Sequence, residues 1–364
     1  MFVKEVKKKC TPPCKINSKS YTVGEKITCL WDTSESLNAF QGKYVILGVP
    51  DDRGVIAAGN FAGAKEGPTA FRKSFYSLCS ALLRQYNPVT HHPYPPGHKT
   101  STEPVFLSEK FLDAGDLILS DSIKETHHNL SYVVEQILNA GADTLFIIGG
   151  GHDFTYGSYK GHVASRNDEI IPLINFNINF NLQPVEDNAI TNRTAFYRII
   201  QDFPKNISGG KALLEIGIQR ERNPHYFYET AEKFKIPVVE YLPLLDLWRD
   251  LQQAHTQMPL EHIQDHIDDC VEYGFKRKKG SIHLSLSLDI FNQSFAPGST
   301  AGTPMGIDLH DISKSFVFFA KSRDCRVVDI AELCPPRDFH DTTARLVASL
   351  VYRFALVREE YASR

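Results

Sequence analysis

A repeated alternation constrains the fold most strongly. Short, continuous apolar runs recur along the chain at 43–50 (KYVILGVP), 111–119 (FLDAGDLIL), 144–150 (TLFIIGG), 170–176 (IIPLINF), 212–218 (ALLEIGI), 236–242 (IPVVEYL), 281–291 (SIHLSLSLDIF) and 326–333 (RVVDIAEL). They are too short for core helices and read as strands, most of them apolar on both faces. Between and after them, stretches such as 69–86, 122–141, 194–203, 257–275, 306–322 and 340–362 carry helical patterning, and Gly67-Pro68 marks a helix start. Strand and helix in strict alternation predict an α/β protein, a three-layer α/β/α sandwich with a central, mainly parallel sheet. No long linker, composition shift or fixed-period repeat divides the chain. Residues 41–364 therefore read as one domain, preceded by a polar, irregular N-terminal extension, 1–40. With 364 residues, 42% of them hydrophobic, the chain can bury a large core.

Charge and composition exclude several classes. A formal charge of −3 gives no basic footprint for nucleic acid or an anionic membrane. No apolar run approaches the roughly 20 residues of a spanning helix. The start, MFVKEVKKKCTPPC, has lysines but no apolar run behind them, so no secretory signal is read and a cytoplasmic protein is expected. Seven scattered cysteines (Cys10, Cys14, Cys29, Cys79, Cys270, Cys325, Cys334) favour reduced thiols over a disulfide framework. His91, His92 and His98 lie in a proline-rich stretch that reads as exposed loop. Asn129, Asn192 and Asn206 open glycosylation sequons without a route to glycosylation.

Three strand ends carry the polar residues. GGGHDF brings His152 and Asp153; INFNINFN brings Asn177, Asn179 and Asn181; LSLSLDIF brings Ser285, Ser287 and Asp289. In a parallel sheet such ends meet at the carboxyl edge, where ligands bind. If the chain stays extended, the three asparagines point the same way. They have the layout of a metal site without its charges.

Several motifs, in order, resemble the ureohydrolase superfamily of arginase, agmatinase and formimidoylglutamase, most closely the last branch. They are GVPDDRG, AGAKEGPTAFR (family GA-x-x-GP-x-A-I-R), LDAGD (DxGD), GGGHD (GGGHE/D), GIQRERN, APGSTAGTPMGI and DIAELCPPRD…TTARL. The resemblance runs from about residue 43 to the C-terminus and implies an arginase-like fold. It also implies hydrolysis of a guanidinium-like or formimino group by a hydroxide bridging a manganese pair. In this sequence the family's ligand positions are His152, Asn177, Asn179, Asn181, Ser287 and Asp289, of which only His152 and Asp289 keep the family residue. The family's other residues there, mostly carboxylates, are what allow two divalent ions to sit close together. On the substrate side, Gln183 stands for an arginine, Asn192 and Arg193 for Ser and Gly, and Met305 for a common arginine; Glu332 is the family's substrate-facing glutamate. Asp153 and Gln219 are also kept.

The expectation is a ureohydrolase relative that has lost the manganese cluster and hydrolysis and serves in binding, regulation or assembly. No residue is assigned a catalytic role and no cofactor is expected. His152 is then a buried histidine bonded to Asp153, Asp289 or an asparagine, and Asp289 pairs with His152 or Arg193. One alternative is an active hydrolase of a formimino or guanidino C–N bond with altered manganese use. Another is a metal-free binder of a small amino-acid-like ligand, anchored by Arg193 or Glu332. The family resemblance adds homo-oligomers, trimers or hexamers, or assembly with a paralogous ureohydrolase; nucleic acid and membrane partners are not expected.

Overall fold

The computed structural model describes residues 3–4, 21–30, 37–83, 105–166, 169–241, 281–322 and 324–362. The helix expected at 257–275, the histidines at 91, 92 and 98, and Cys10, Cys14 and Cys270 lie outside the described residues.

The expected strands form. They are β3 (Tyr44–Val49), β4 (Phe111–Leu117), β5 (Thr144–Gly149), β6 (Leu173–Phe176), β7 (Leu213–Ile218), β8 (Val238–Glu240), β9 (Ile282–Ser287) and β10 (Cys325–Ala331). From the stretch read as irregular, β1 (Val3–Lys4) and β2 (Thr28–Cys29) add short pairings to β4. The sheet order is β1-β4-β3-β5-β10-β9-β6-β7-β8 with β2 beside β4, and every pairing is parallel except β1 on β4. The helices are α1 (Val23–Lys26), α2 (Arg53–Ala57), α3 (Gly67–Tyr76), α4 (Ile123–Asn139), α5 (Thr155–Arg166), α6 (Ala195–Asp202), α7 (His225–Phe234), α8 (Leu309–Lys321) and α9 (Thr342–Ala362).

Alternate residues of the central strands feed two apolar layers, as the pleat requires. Ile46, Phe146, Leu284 and Val328 pack with Phe71 and Phe75 of α3, Phe319 of α8 and Phe354 of α9. On the other face, Val45 and Leu145 pack with Leu130 and Val134 of α4, while Leu173 and Leu213 pack with Tyr159, Phe196, Ile199 and Phe227 of α5, α6 and α7. This is the three-layer arrangement expected. None of the helices in the described residues is long and apolar enough to cross a membrane. The sequon residues Asn129, Asn192 and Asn206 are buried.

Three of the boundaries that differ from the sequence reading have a clear local cause. The helix expected over 69–86 stops at Tyr76, because the backbone beyond it pairs elsewhere: Val23 N–H donates to Leu78 O (2.8 Å), Ser80 N–H to Tyr21 O (2.8 Å) and Leu107 N–H to Ala81 O (2.9 Å). The strand expected from Ile170 begins only at Leu173, after Pro172, which has no N–H for the ladder. The run through 291 leaves the sheet after Ser287, whose Oγ accepts from Asp289 N–H (3.3 Å) and starts a short turn, Leu288–Ile290.

Two motifs far apart in sequence meet as a buried clamp. Arg72 of α3 donates to both oxygens of Asp113 on β4 (2.7 and 3.0 Å), to Asp116 (2.5 Å) and to Gly115 O (2.8 Å), and Tyr76 Oη also donates to Asp113. A Cβ on Gly48 of β3 would stand 1.8 Å from Asp116 Oδ1, so the clamp needs glycine there. Removing one partner of a buried pair strands the other charge, at about 3–5 kcal/mol. Arg72→Ala is expected to lower the unfolding free energy by about that amount in urea denaturation. Arg72→Ala with Asp113→Ala is expected to cost less than the two single changes summed.

Candidate functional site

Segments that follow β3, β5, β6, β7, β9 and β10 line a cavity of about 360 Å³. The six ligand positions, His152, Asn177, Asn179, Asn181, Ser287 and Asp289, and the substrate-side residues Gln183, Asn192, Arg193 and Glu332 line it. Met305 does not; its side chain is 58% exposed, and its backbone carbonyl accepts from Gln219 Nε2 (2.7 Å).

The asparagines converge by a different route from the one expected. The strand ends at Phe176, before the first of them. Asn177 Oδ1 then accepts from Asn179 N–H (3.2 Å), an Asx turn that ends the extended conformation. Asn181 is left-handed (φ 53°), a conformation asparagine tolerates. The turn brings two amides onto one ring atom. Asn181 Nδ2 donates to His152 Nδ1 at 2.9 Å, and Asn177 Nδ2 lies 3.3 Å from the same nitrogen. With Nδ1 accepting, the neutral ring carries its proton on Nε2 and donates it to Ser285 Oγ (2.7 Å).

Of the three partners allowed for His152, the structure selects asparagine. Asp153 is engaged elsewhere: its Oδ2 accepts from His127 Nε2 (3.0 Å), whose Nδ1 accepts from Arg198 (3.0 Å). Asp289 pairs with neither His152 nor Arg193; its Oδ1 accepts from Ala301 N–H (2.8 Å), and Arg222 and Arg337 supply the positive field around it. Glu332, at φ 72°, is fully engaged at the pocket wall. Its Oε1 accepts from His152 N–H (2.8 Å) and Asn192 Nδ2 (3.0 Å), and its Oε2 from Thr300 Oγ1.

The arginase-family profile matches residues 42–357, nearly the whole of this fold. The chain belongs to the arginase family. The formimidoylglutamase of Clostridium tetani is 24% identical over 325 residues, covering 87% of this chain and 84% of that protein. That of Macrococcus caseolyticus is 26% identical over 314 residues, covering 86% and 84%. Among solved structures, Trypanosoma cruzi formiminoglutamase with Mn2+2 superposes with a TM-score of 0.71 at 20% identity, covering 94% of this chain and 99% of that one. The Bacillus subtilis formimidoylglutamase gives a TM-score of 0.71 at 19% identity, covering 94% and 92%.

Within this arginase fold the site is electrostatically muted. Burial lowers the His152 pKa to about 3, so the imidazole is neutral at any ordinary pH. Burial, and then the charge of Asp289, raise Glu332 to about 8. Burial also lifts Asp289 above the usual carboxylate range, against its bond from Ala301. Among the described residues no group of three or more His, Cys, Asp or Glu side chains is arranged to hold a metal.

The structure adds Asn60, Glu221, Arg222 and Tyr226 to the pocket wall. Glu221 and Arg222 sit inside the GIQRERN motif, but only the folded loop shows Arg222 Nη2 donating to Ala301 O (2.9 Å) beside the cavity. Asn60 follows α2, in a glycine-containing turn with no local signal to mark it.

Linkage gives the site a pH signature. The folded pKa of His152 is depressed, so on acidification the unfolded chain takes up a proton that the folded chain refuses. Its contribution to stability is therefore lost as pH falls from the ordinary histidine range (about 6.5) toward about 3. Ring-nitrogen NMR of His152 is expected to show the neutral Nε2–H tautomer over that window until the pH comes within about a unit of the folded pKa. Asn181→Asp, which places a carboxylate beside Nδ1, is expected to raise the histidine pKa by at least about a unit.

Proposed function

We propose that this chain is an arginase-family protein without the manganese cluster and without hydrolysis, whose pocket binds a small amino-acid-like ligand. The observation that carries the reading is the hydrogen-bonding state of His152. Its Nδ1, the ring nitrogen aimed at the cluster of ligand positions, already accepts from an amide of Asn181. A manganese pair needs hard anionic oxygens to offset the repulsion between two divalent ions. Of the six ligand positions only Asp289 brings a carboxylate, and Arg222 and Arg337 already act on it. The residues present do not fit the metal pair, so no hydrolytic step is derived from it.

What remains is a polar cavity with carboxamide walls and exposed cations at its mouth, Arg193 and Arg222. Carboxamides offer both donors and acceptors at fixed geometry, and arginine favours a carboxylate. Arg193 is the anchor assigned to the ligand's carboxylate. Regulation or assembly, with further copies or a paralogous ureohydrolase, is the role this reading gives to a retained fold with a silenced centre.

The test is elemental analysis of protein incubated with excess manganese, coupled to a hydrolysis screen with arginine, agmatine and formiminoglutamate. The expected result is manganese far below stoichiometric and no turnover. About two manganese ions per chain with turnover, the composition of a two-metal hydrolase, would overturn the reading. A second experiment rebuilds the set with Asn177→Asp, Asn179→His, Asn181→Asp and Ser287→Asp. Metal binding is expected to return, and hydrolysis only in part, because Gln183 and Arg193 remain. A folded rebuilt variant that takes up no metal would mean that these positions are not in the family's register.

A further inference from the structure

A second buried polar row crosses the sheet beneath the pocket. At one register level Asp329 of β10, Ser285 of β9, Asn175 of β6 and Glu215 of β7 stand side by side, and all are fully buried. Asp329 Oδ2 accepts from His283 Nε2 (2.8 Å) and Ser158 Oγ (2.6 Å), its Oδ1 being buried without a partner, and Ser285 Oγ bonds His152. At Glu215, at the end of the row, two unpartnered oxygens fall within one bonded pair. Its side chain is met by Asn175, whose Nδ2 donates to Oε2 at 2.6 Å. The other oxygen of each side chain, Glu215 Oε1 and Asn175 Oδ1, is buried without a partner.

Two orphan acceptors in one pair have a common remedy. A carboxylate only accepts, so against an amide it leaves one oxygen facing another, and exchanging the amide's oxygen and nitrogen merely moves the mismatch. A carboxylic acid has a donor and an acceptor, the complement of a carboxamide. We propose that Glu215 is a neutral acid in the folded protein, donating from Oε1 to Asn175 Oδ1 and closing a two-bond ring that ties β6 to β7 below the pocket. One proton then satisfies both orphans, which burial otherwise makes expensive.

The surroundings offer no other compensation. From β8, Val238 and Pro237 O meet Glu215 through the backbone, with its N–H donating to Pro237 O (3.0 Å). From the helix layer, Tyr156 and Tyr159 of α5 and Phe196 of α6 share the apolar cluster of its strand neighbour Leu213. His152 and His283, which bond to the row, already have partners, as does Asp329 through Oδ2, and the unpartnered Asp329 Oδ1 is an acceptor that offers Glu215 no donor. Burial drives the Glu215 pKa well up, opposed only by the bond from Asn175.

Position gives the ring a function. Asn175 lies two residues before Asn177, on the strand that delivers the asparagine turn to the cavity. Ionising Glu215 would set two acceptors against each other in the β6–β7 ladder and loosen the pocket floor, so the ring is an alkaline-sensitive lock. The direction follows from linkage. Below the ordinary glutamate range both states hold the proton. Above it the unfolded chain releases the proton and the folded chain keeps it, so stability falls with rising pH until Glu215 ionises in the fold.

Glu215→Gln tests this, because glutamine supplies donor and acceptor at every pH. Unfolding of the full chain would be followed from pH 5 to 9 for both proteins. The ratio of their folding constants, wild type over variant, is expected to fall by about tenfold per pH unit while the folded acid keeps its proton. Parallel profiles across the whole range would overturn the proposal. Should the glutamine variant not fold, the double change Asn175→Leu with Glu215→Leu removes both polar groups, and its profile must lose the same pH dependence. If it keeps the wild-type slope, the titrating group is another residue and the ring is absent.

Discussion

The site depends on how His152 is hydrogen-bonded. The ring is completely buried, uncharged, and held at both nitrogens, Nε2–H toward Ser285 of β9 and Nδ1 toward the amides that follow β6. Its backbone N–H is taken by Glu332, next to the end of β10. One residue thus joins the exits of four strands. The same position in a charged centre would be a metal ligand; here every polar atom has a neutral or shared partner. A carboxamide matches a carboxylate in size and hydrogen-bonding capacity but lacks the anionic field that divalent ions require.

The rest of the fold follows the same economy of buried polarity. Alternation in β9 ordinarily marks a strand with one face in water. In this chain all of β9 is buried, and its polar face is met by α5 and β10: His283 bonds Asp329, and His162 contacts both Ser281 (2.5 Å) and His283 (3.3 Å). Arg72 does the same at the opposite end of the sheet with Asp113 and Asp116. Such interactions contribute little net stability when intact and are severe when broken, so they fix register and tie distant segments together.

The layered fold was legible because continuous apolar runs admit few alternatives to strands buried on both faces, and strand–helix alternation then selects a parallel sheet. The gathering of His152, Asn177, Asp289 and Glu332 was legible because strand ends in such a sheet share one edge. The details that failed were decided by side-chain-to-backbone bonds. Nothing in an Asn-x-Asn-x-Asn pattern says that Asn177 will cap Asn179 and turn the chain, or that Asn181 will be left-handed. Helical spacing through 86 did not reveal that residues 78–81 pair with 21–23 and 107 instead. Asn60 and Arg222 reach the cavity from loops whose positions only the assembled sheet determines.

On the proposed reading the cavity holds carboxamide hydrogen bonds and no manganese pair. Crystals grown in excess manganese, with anomalous diffraction recorded at the manganese edge, test it most directly. The expected result is no anomalous peak in the cavity, with His152 Nδ1 within hydrogen-bond distance of Asn181 Nδ2. A pair of peaks ligated by His152 and Asp289, with the asparagine amides turned away from the ring, would contradict it.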